Sequence, residues 1–492
     1  MFAVTRRWLL AGVALYGLYL FSLTKAGMVG PDEPRYASIG REMARSGDWV
    51  TPRLWGQPWF EKPPLLYWMI AAGDRLGLGD DLAPRLPVAL MSVAFLLVYH
   101  RLLRAEFGAR AALLAAGILG TSALWVAFSQ VAVTDLPMSA AYAAGMLLGL
   151  RWLSTGDRRW LAGASLLLAL AVLAKGLVPL VLALPLLWVG RKRLTDWVRP
   201  LPLAAFVLVA VPWYLLCTLR NGQIFVDEFF VRHHLARFTS GVLLHPGPFW
   251  YYFPVLLAGL YPWTLLVLPL CRKSFYTDPQ RKFLLLWVVF GFLFFSASAG
   301  KLPGYLLPLF PAVAALAGVA LDEVKNARWL LAACCLLLTM TPVVSGTLPG
   351  AFAQGLSRTA VAGWHWGFAG VCLLVAAGVW WLEGAGRRNG ALGLLLALAV
   401  VCVVLVKAEA LPALDRLASG RPLWKKVSSS PAGVCVEEIH RNWRYSLNYY
   451  SVTPLPDCGQ APRPIRIRQL PGAPPFVERS PGGAASSELR RP

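Results

Sequence analysis

Apolar segments near membrane-spanning length recur from one end of this chain to the other, and clusters of Arg and Lys separate them on alternate sides. A hydrocarbon core about 30 Å thick is crossed by ~20 consecutive apolar residues in a helix. Thirteen segments approach that length, at about 8–24, 84–100, 111–130, 136–153, 160–174, 176–190, 201–219, 249–270, 283–299, 304–321, 327–343, 364–382 and 390–406. With 57% hydrophobic and 15% charged residues, the chain lacks the polar surface of a soluble protein of its size. The expectation is an all-α polytopic membrane protein with about thirteen transmembrane helices. The 160–190 stretch reads either as a kinked helix pair or as a re-entrant hairpin.

The net charge of +22 invites a nucleic-acid reading, but the placement of the charges argues against it. With Arg6 and Arg7 in the cytoplasm, the alternate loops carry Arg101, Arg104 and Arg110, then Arg151, Arg158 and Arg159, then Arg191, Lys192, Arg193 and Arg199. Further along, Arg272, Lys273, Arg281, Lys282, Lys325, Arg328, Arg387 and Arg388 fall on the same side. The short loops on the other face hold only Lys175, Lys301 and Arg358. This is the positive-inside asymmetry, so most of the charge is topological and no nucleic-acid partner is expected. No small-residue cleavage site follows segment 8–24, which reads as an uncleaved anchor. The expected orientation has the N-terminus cytoplasmic and the C-terminal segment exported.

Residues 1–406 are expected to form the membrane domain, with polar outer loops at 27–83 and 220–248. Within the first loop, Pro34–Ser46 places Tyr36, Ile39 and Met43 on one face and predicts an interfacial helix, and Pro63–Leu76 predicts a second. Residues 407–471 read as a small α/β domain: a strand at Gly433–Glu437, a helix at Arg441–Tyr450 and a return towards a strand over Ser451–Cys458. Cys435 and Cys458 are the only cysteines in the exported tail, and an oxidising compartment permits a bridge between them. From about 472 to 492 the composition turns to Pro, Gly, Ser and Ala and predicts disorder.

Carboxylates of the first loop are the leading candidates for chemistry. Asp32 and Glu33 precede Pro34, and Glu61 and Lys62 precede Pro63 and Pro64. Each acid has a plain structural reading as a helix cap. Each also has a functional one, as a base or a ligand for a divalent ion. Lys62 reads either as a surface ion pair or as a point charge for phosphate. Asp135, Lys175 and Lys301 lie at segment ends on the outer face. Capping and snorkelling are their plain readings, while charge at a membrane more often marks function. Asp135 thus joins Asp32 and Glu61 as a candidate catalytic carboxylate. The second loop holds His233, His234, Arg237 and His245. Adjacent histidines cannot share one helical face, and their spacing is not diagnostic for zinc.

Taken together, several stretches resemble a known family. They are Asp32-Glu33-Pro34-Arg35-Tyr36-Ala37, Arg41-Glu42-Met43, Ser46-Gly47-Asp48-Trp49, Phe60-Glu61-Lys62-Pro63 and Ala174-Lys175-Gly176. His234 followed by Arg237-Phe238, Pro248-Phe249-Trp250-Tyr251-Tyr252, and Gly300-Lys301-Leu302-Pro303 with Tyr305 continue the match in order. The pattern is similar to that of the lipid A aminoarabinose transferases. More broadly it resembles the polyprenyl-phosphate-dependent glycosyltransferases of the GT-C fold, related to the protein O-mannosyltransferases. The resemblance implies thirteen membrane helices, two interfacial helices and an exported domain. It implies an inverting transfer of a pentosyl or hexosyl group from a polyprenyl phosphate to a lipid or glycan acceptor. It gives Asp32 the catalytic role, and it places the carrier phosphate on Lys62, Arg237, Lys301 and Tyr305, to which Lys175 is added as a candidate phosphate-binding residue. It suggests a divalent ion (zinc, magnesium or manganese) at Glu61 with His234 or His245. Two departures stand out: His233 occupies the position of an acid, and the tail is shorter than the exported domain of the lipid A enzymes.

The functional expectation is a membrane glycosyltransferase acting on lipid A or another envelope glycan. Transfer to protein hydroxyls on the same fold is the alternative within the enzyme class, and a lipid or sugar transporter is the alternative outside it. A transporter gathers its polar residues near the midplane, whereas the candidates here gather at one face.

Overall fold

The computed structural model describes residues 2–235, 247–470 and 473–479, with side chains from Leu9 onward and, before the second loop, as far as Arg232. Helical structure covers each of the thirteen apolar segments. Among the described residues, seven helices are long and apolar enough to cross a membrane on their own. The span expected at 249–270 is two helices, Phe249–Gly259 and Trp263–Cys271, bent by 117°. The 160–190 stretch resolves into the helix Arg158–Lys175 and two short turns, Val178–Leu182 and Leu184–Val189. Gly176, at φ +75°, ends the long helix, and Pro179 and Pro185 restart the short ones.

Small residues set the closest packing. A Cβ on Gly145 would sit 3.3 Å from the Ala164 carbonyl, so Asp135–Thr155 and Arg158–Lys175 meet almost backbone to backbone. Gly318 brings Phe310–Glu323 closer still to Ala109–Thr121, where a Cβ would fall 2.6 Å from the Ala115 nitrogen and 2.8 Å from the Ala111 carbonyl. In lipid, where apolar burial gives little drive between helices, such close approach supplies the association energy.

Ion pairs show which loops share an end. Arg110 binds Asp322 (3.1 Å), Arg151 binds Glu106 (3.0 Å), Arg158 binds Asp196 (2.8 Å), and Arg281 binds Glu323. Glu383 accepts from the Ala327 amide and from Arg388. Every one of these contacts joins loops that the charge pattern assigns to the cytoplasmic side.

The opposite end carries the interfacial helices Asp32–Ser46 and Leu65–Arg75, both close to their expected positions, and the C-terminal domain. The helix that covers the last apolar segment runs from Arg388 to Ala418, past the expected domain start at 407. Its sheet has the order β3 (Val434–Glu437), β4 (Ile465–Arg468), β5 (Phe476–Arg479). The β3–β4 pair is parallel and the β4–β5 pair antiparallel. Two expectations need correction. The stretch Ser451–Cys458 contributes only a bridge between Asp457 and Val436, and the second strand lies further on. Residues 473–479, expected to be disordered, include β5, which pairs with the open edge of β4. Cys435 and Cys458 form a disulfide, with Cα atoms 5.0 Å apart.

The helix Arg441–Ser451 lies between this sheet and the membrane domain. Trp443 and Leu447, four apart, join Val434, Val436 and Ile467 in the domain core. Tyr445 and Tyr449, also four apart, face the first loop: Tyr449 packs with Met28 and Ala37, and its hydroxyl donates to Asp80 O at 2.6 Å. Arg421 fastens the same junction through Asp81, Asp415 and the carbonyls of Thr24 and Lys25.

Candidate active site

Asp32 and Arg35 are the first and fourth residues of the helix Asp32–Ser46, so they share a face one turn apart. They form an ion pair. Arg35 Nη2 also lies 3.1 Å from Glu61 Oε2, and Lys62 Nζ lies 3.2 Å from Glu61 Oε1. The four residues are therefore an alternating chain of charges, Asp32–Arg35–Glu61–Lys62. Its ends differ in access: the Asp32 side chain is 46% exposed, whereas those of Glu61 and Lys62 are largely buried. The network carries the functional reading of Asp32 and Glu61. Neither caps its helix, because Pro31 and Pro64 occupy the caps and no side chain bonds there.

Local structure explains how the loop holds this geometry. Phe60 is buried among Leu173, Trp213, Phe225 and Phe229, which anchors the residues on either side of it. A short hairpin, β1 (Arg53–Leu54) with β2 (Gln57–Pro58), precedes it. Glu42 accepts from the Gly56 amide at 2.9 Å and ties the hairpin turn to the first interfacial helix.

Aromatic rings enclose the guanidinium. Arg35 lies 5.5 Å from the Tyr36 ring centroid, 5.4 Å from Trp59 and 5.5 Å from Tyr445. Burial alone would lower the Arg35 pKa, but the charges of Glu61 and Asp32 outweigh it and hold Arg35 above its ordinary value. Burial first, and the nearby Glu61 and Asp32 second, push the phenols of Tyr36 and Tyr67 well above theirs. Both stay neutral in the working range, so neither is a base.

Glu33 has a different job from its neighbour. At 2% exposure it makes a bidentate pair with Arg85 (2.7 and 2.8 Å) and accepts from the amides of Val29 and Ala132. Arg85 in turn donates to the carbonyls of Leu23, Ala26 and Gly27. A cap reading of Glu33 is thus corrected: it fixes the loop entry and the Ala132 turn.

A second charged cluster sits at the end of the next helix pair. Lys175 Nζ is 2.6 Å from Asp135 Oδ1 and 5.0 Å from the Tyr305 ring centroid. Asp135 opens its helix and Lys175 closes the antiparallel neighbour, so each stands at the dipole end that favours its charge. A Cβ on Gly304 would fall 2.7 Å from Asp135 Oδ1, so the residue before Tyr305 must be small. Lys301 points inward, donating to the carbonyls of Ser296 (2.8 Å) and Ser298 (2.7 Å), with Tyr252 beside it. Phe60 packs with Leu173, two residues before Lys175, which brings the Glu61–Lys62 loop to the end of this helix.

Arg237 lies outside the described residues, as do the side chains of His234 and His245. Among the described residues no three His, Cys, Asp or Glu side chains gather as a metal set. Each Glu61 oxygen already faces a cation. Of the expected set, Glu61 with His234 or His245, only the Glu61 side chain is therefore described. Sequence reasoning passed over Arg35, although its spacing from Asp32 signals a shared face. It also passed over Tyr445, for which no local signal exists.

The family model described as dolichyl-phosphate-mannose-protein mannosyltransferase matches residues 61–215. The undecaprenyl phosphate-alpha-4-amino-4-deoxy-L-arabinose arabinosyl transferase of Pectobacterium atrosepticum is 35% identical over 316 residues, 61% of this chain and 56% of that protein. The transferase of the same name from Serratia proteamaculans is 33% identical over 344 residues, 67% of this chain and 62% of that protein. The matches span between 56% and 62% of the length of these curated relatives. The crystal structure of ArnT from Cupriavidus metallidurans bound to undecaprenyl phosphate superposes with a TM-score of 0.74 at 26% identity. That superposition covers 95% of this chain and 93% of the other. In sequence and in fold, then, this chain resembles the GT-C membrane glycosyltransferases that use polyprenyl-phosphate sugars, the lipid A aminoarabinose transferases among them.

Proposed function

We propose that this protein is a glycosyltransferase of the bacterial inner membrane that moves a sugar from a polyprenyl phosphate to an envelope acceptor such as lipid A. In this reading the chain crosses the membrane thirteen times, keeps its N-terminus in the cytoplasm, and exposes both charged clusters and the C-terminal domain outside. The observation that carries it is the Asp32–Arg35–Glu61–Lys62 chain, buried at one end and accessible at the other, beside Asp135–Lys175.

The acceptor oxygen attacks the anomeric carbon from the face opposite the carrier. The bond from that carbon to the phosphate oxygen breaks, and its electron pair stays on the phosphate. Lys62, Lys175 and Lys301, with Arg237, supply positive charge where this anion develops. Tyr305 frames Lys175, and Lys301 holds the turn before it. An acceptor hydroxyl gives its proton to Asp32, a step worth about 10²–10⁴-fold in rate. A phosphate acceptor is already ionised, and Asp32 then only orients it.

Transfer to protein hydroxyls is the second reading, favoured by the description of the family model matched at 61–215. Mass spectrometry of lipid A, envelope glycans and exported proteins from a deletion strain separates the two. The proposal expects loss of one sugar mass from lipid A or a glycan and its return on complementation. Loss from proteins alone supports the second reading, and no change in any fraction sinks both.

A further inference from the structure

Arg35 Nε and three other buried donors of the first loop, Trp55 Nε1, Trp59 Nε1 and the Tyr67 hydroxyl, have no hydrogen-bond partner among the described residues. Tyr67 is fully buried, and it lies within the field of Glu61, Arg35 and Asp32. An unpaired buried donor is unfavourable, and native folds keep few of them. Trp59 lies directly against the Arg35 guanidinium, and Trp55 joins it through Tyr445, so these unpaired donors gather on one side of the charge chain.

Trp55 adds an independent sign. It occupies the hairpin turn at φ +54°, followed by Gly56 at φ +81°. Such turns are made with least strain by Asn or Gly at the first position. A bulky ring held there is present for something other than the turn. That ring stacks on Tyr445 at 5.7 Å, and Tyr445 covers Arg35 from the C-terminal domain.

We propose that Trp55, Trp59 and Tyr445 form a subsite for a pyranose unit of the acceptor, so that the exported domain supplies part of the site. Apolar C–H faces of a sugar ring match the aromatic rings, and the unpaired donors match its hydroxyl or phosphate oxygens. The subsite adjoins Arg35 and thus Asp32, the accessible end of the charge chain, with Lys62 at the far end. The inference rests on the transfer reading given above and assigns its acceptor side.

The full chain in detergent is titrated with three probes: undecaprenyl phosphate, undecaprenyl phosphate glucose and glucosamine 1-phosphate. Tyr445→Ala and Trp55→Ala are expected to weaken glucosamine 1-phosphate about tenfold, a loss of ~1.4 kcal/mol. Neither should change the affinity for the two lipid probes, and Tyr445→Phe should bind all three as wild type does. If wild type ignores glucosamine 1-phosphate, or Tyr445→Ala binds it normally, the subsite is overturned while the transfer reading stands on the lipid probes. A selective loss of undecaprenyl phosphate glucose assigns the rings to the donor sugar and overturns the acceptor role. Equal loss of all probes in both alanine variants also overturns it, by making the rings a general scaffold. Wild type that binds neither lipid probe overturns the transfer reading itself.

Discussion

Asp32 and Glu33 are adjacent acids with opposite fates, and their partners explain why. Glu33 is sealed against Arg85 and two amides, while Asp32 shares Arg35 with Glu61 and keeps a face to solvent. Removing one member of a buried pair leaves an uncompensated charge, at a cost of about 3–5 kcal/mol. Glu33→Ala should therefore lower the thermal midpoint of the purified protein sharply; a melt like that of wild type contradicts the structural role. Lys301 makes a pH prediction. Burial lowers its pKa below the ordinary lysine value, so its charge is lost earlier as pH rises. In the proposed site that charge supports the carrier phosphate, so affinity for undecaprenyl phosphate is full at neutral pH. It then falls as pH rises through the lowered value, short of the ordinary lysine value of ~10.4. Lys301→Arg keeps its charge and should remove that fall. Matching pH profiles for the two proteins would contradict the claim.

The elements differ in how openly the sequence declares them. Helix Asp32–Ser46 was legible because Tyr36, Ile39 and Met43 recur at helical spacing, and all three are buried. Strand β5 was not, because its Pro-rich flank resembles a tail and its pairing depends on an open edge of β4, distant in sequence. The same limit hid Tyr445: nothing in Arg441–Ser451 says that one tyrosine pair of that helix meets a loop near the other end of the chain. The Asp32–Glu61 meeting was partly legible, since both acids precede prolines in one loop, but Arg35 as their bridge needed the fold. Within the C-terminal domain the Cys435–Cys458 bridge closes a sequence separation of 23 residues. Constraint of a loop that size in the unfolded chain contributes ~3 kcal/mol. Replacing both cysteines with Ser should make the domain markedly more sensitive to protease, and unchanged digestion would contradict that contribution.

Across the whole molecule, charge pattern and fold agree on which loops lie together. Arg110–Asp322, Arg151–Glu106, Arg158–Asp196 and Arg281–Glu323 gather one set, and the Arg85 and Arg421 networks gather the other. The proposed orientation puts the second set outside. In a Cys271→Ser background, Thr453→Cys should react with a membrane-impermeant maleimide on intact spheroplasts, and Ser154→Cys should react only after lysis. The reverse pattern would invert the topology and place the site in the cytoplasm. The central claim is that Asp32 serves transfer from a polyprenyl-phosphate sugar at this outer face. Its most direct test is release of free undecaprenyl phosphate from an undecaprenyl-phosphate sugar by the purified protein with its envelope acceptor, wild type against Asp32→Asn. The account predicts acceptor-dependent release that falls at least tenfold in Asp32→Asn, or about 10²–10⁴-fold with a hydroxyl acceptor, with carrier binding intact. Release by Asp32→Asn at the wild-type rate would contradict it.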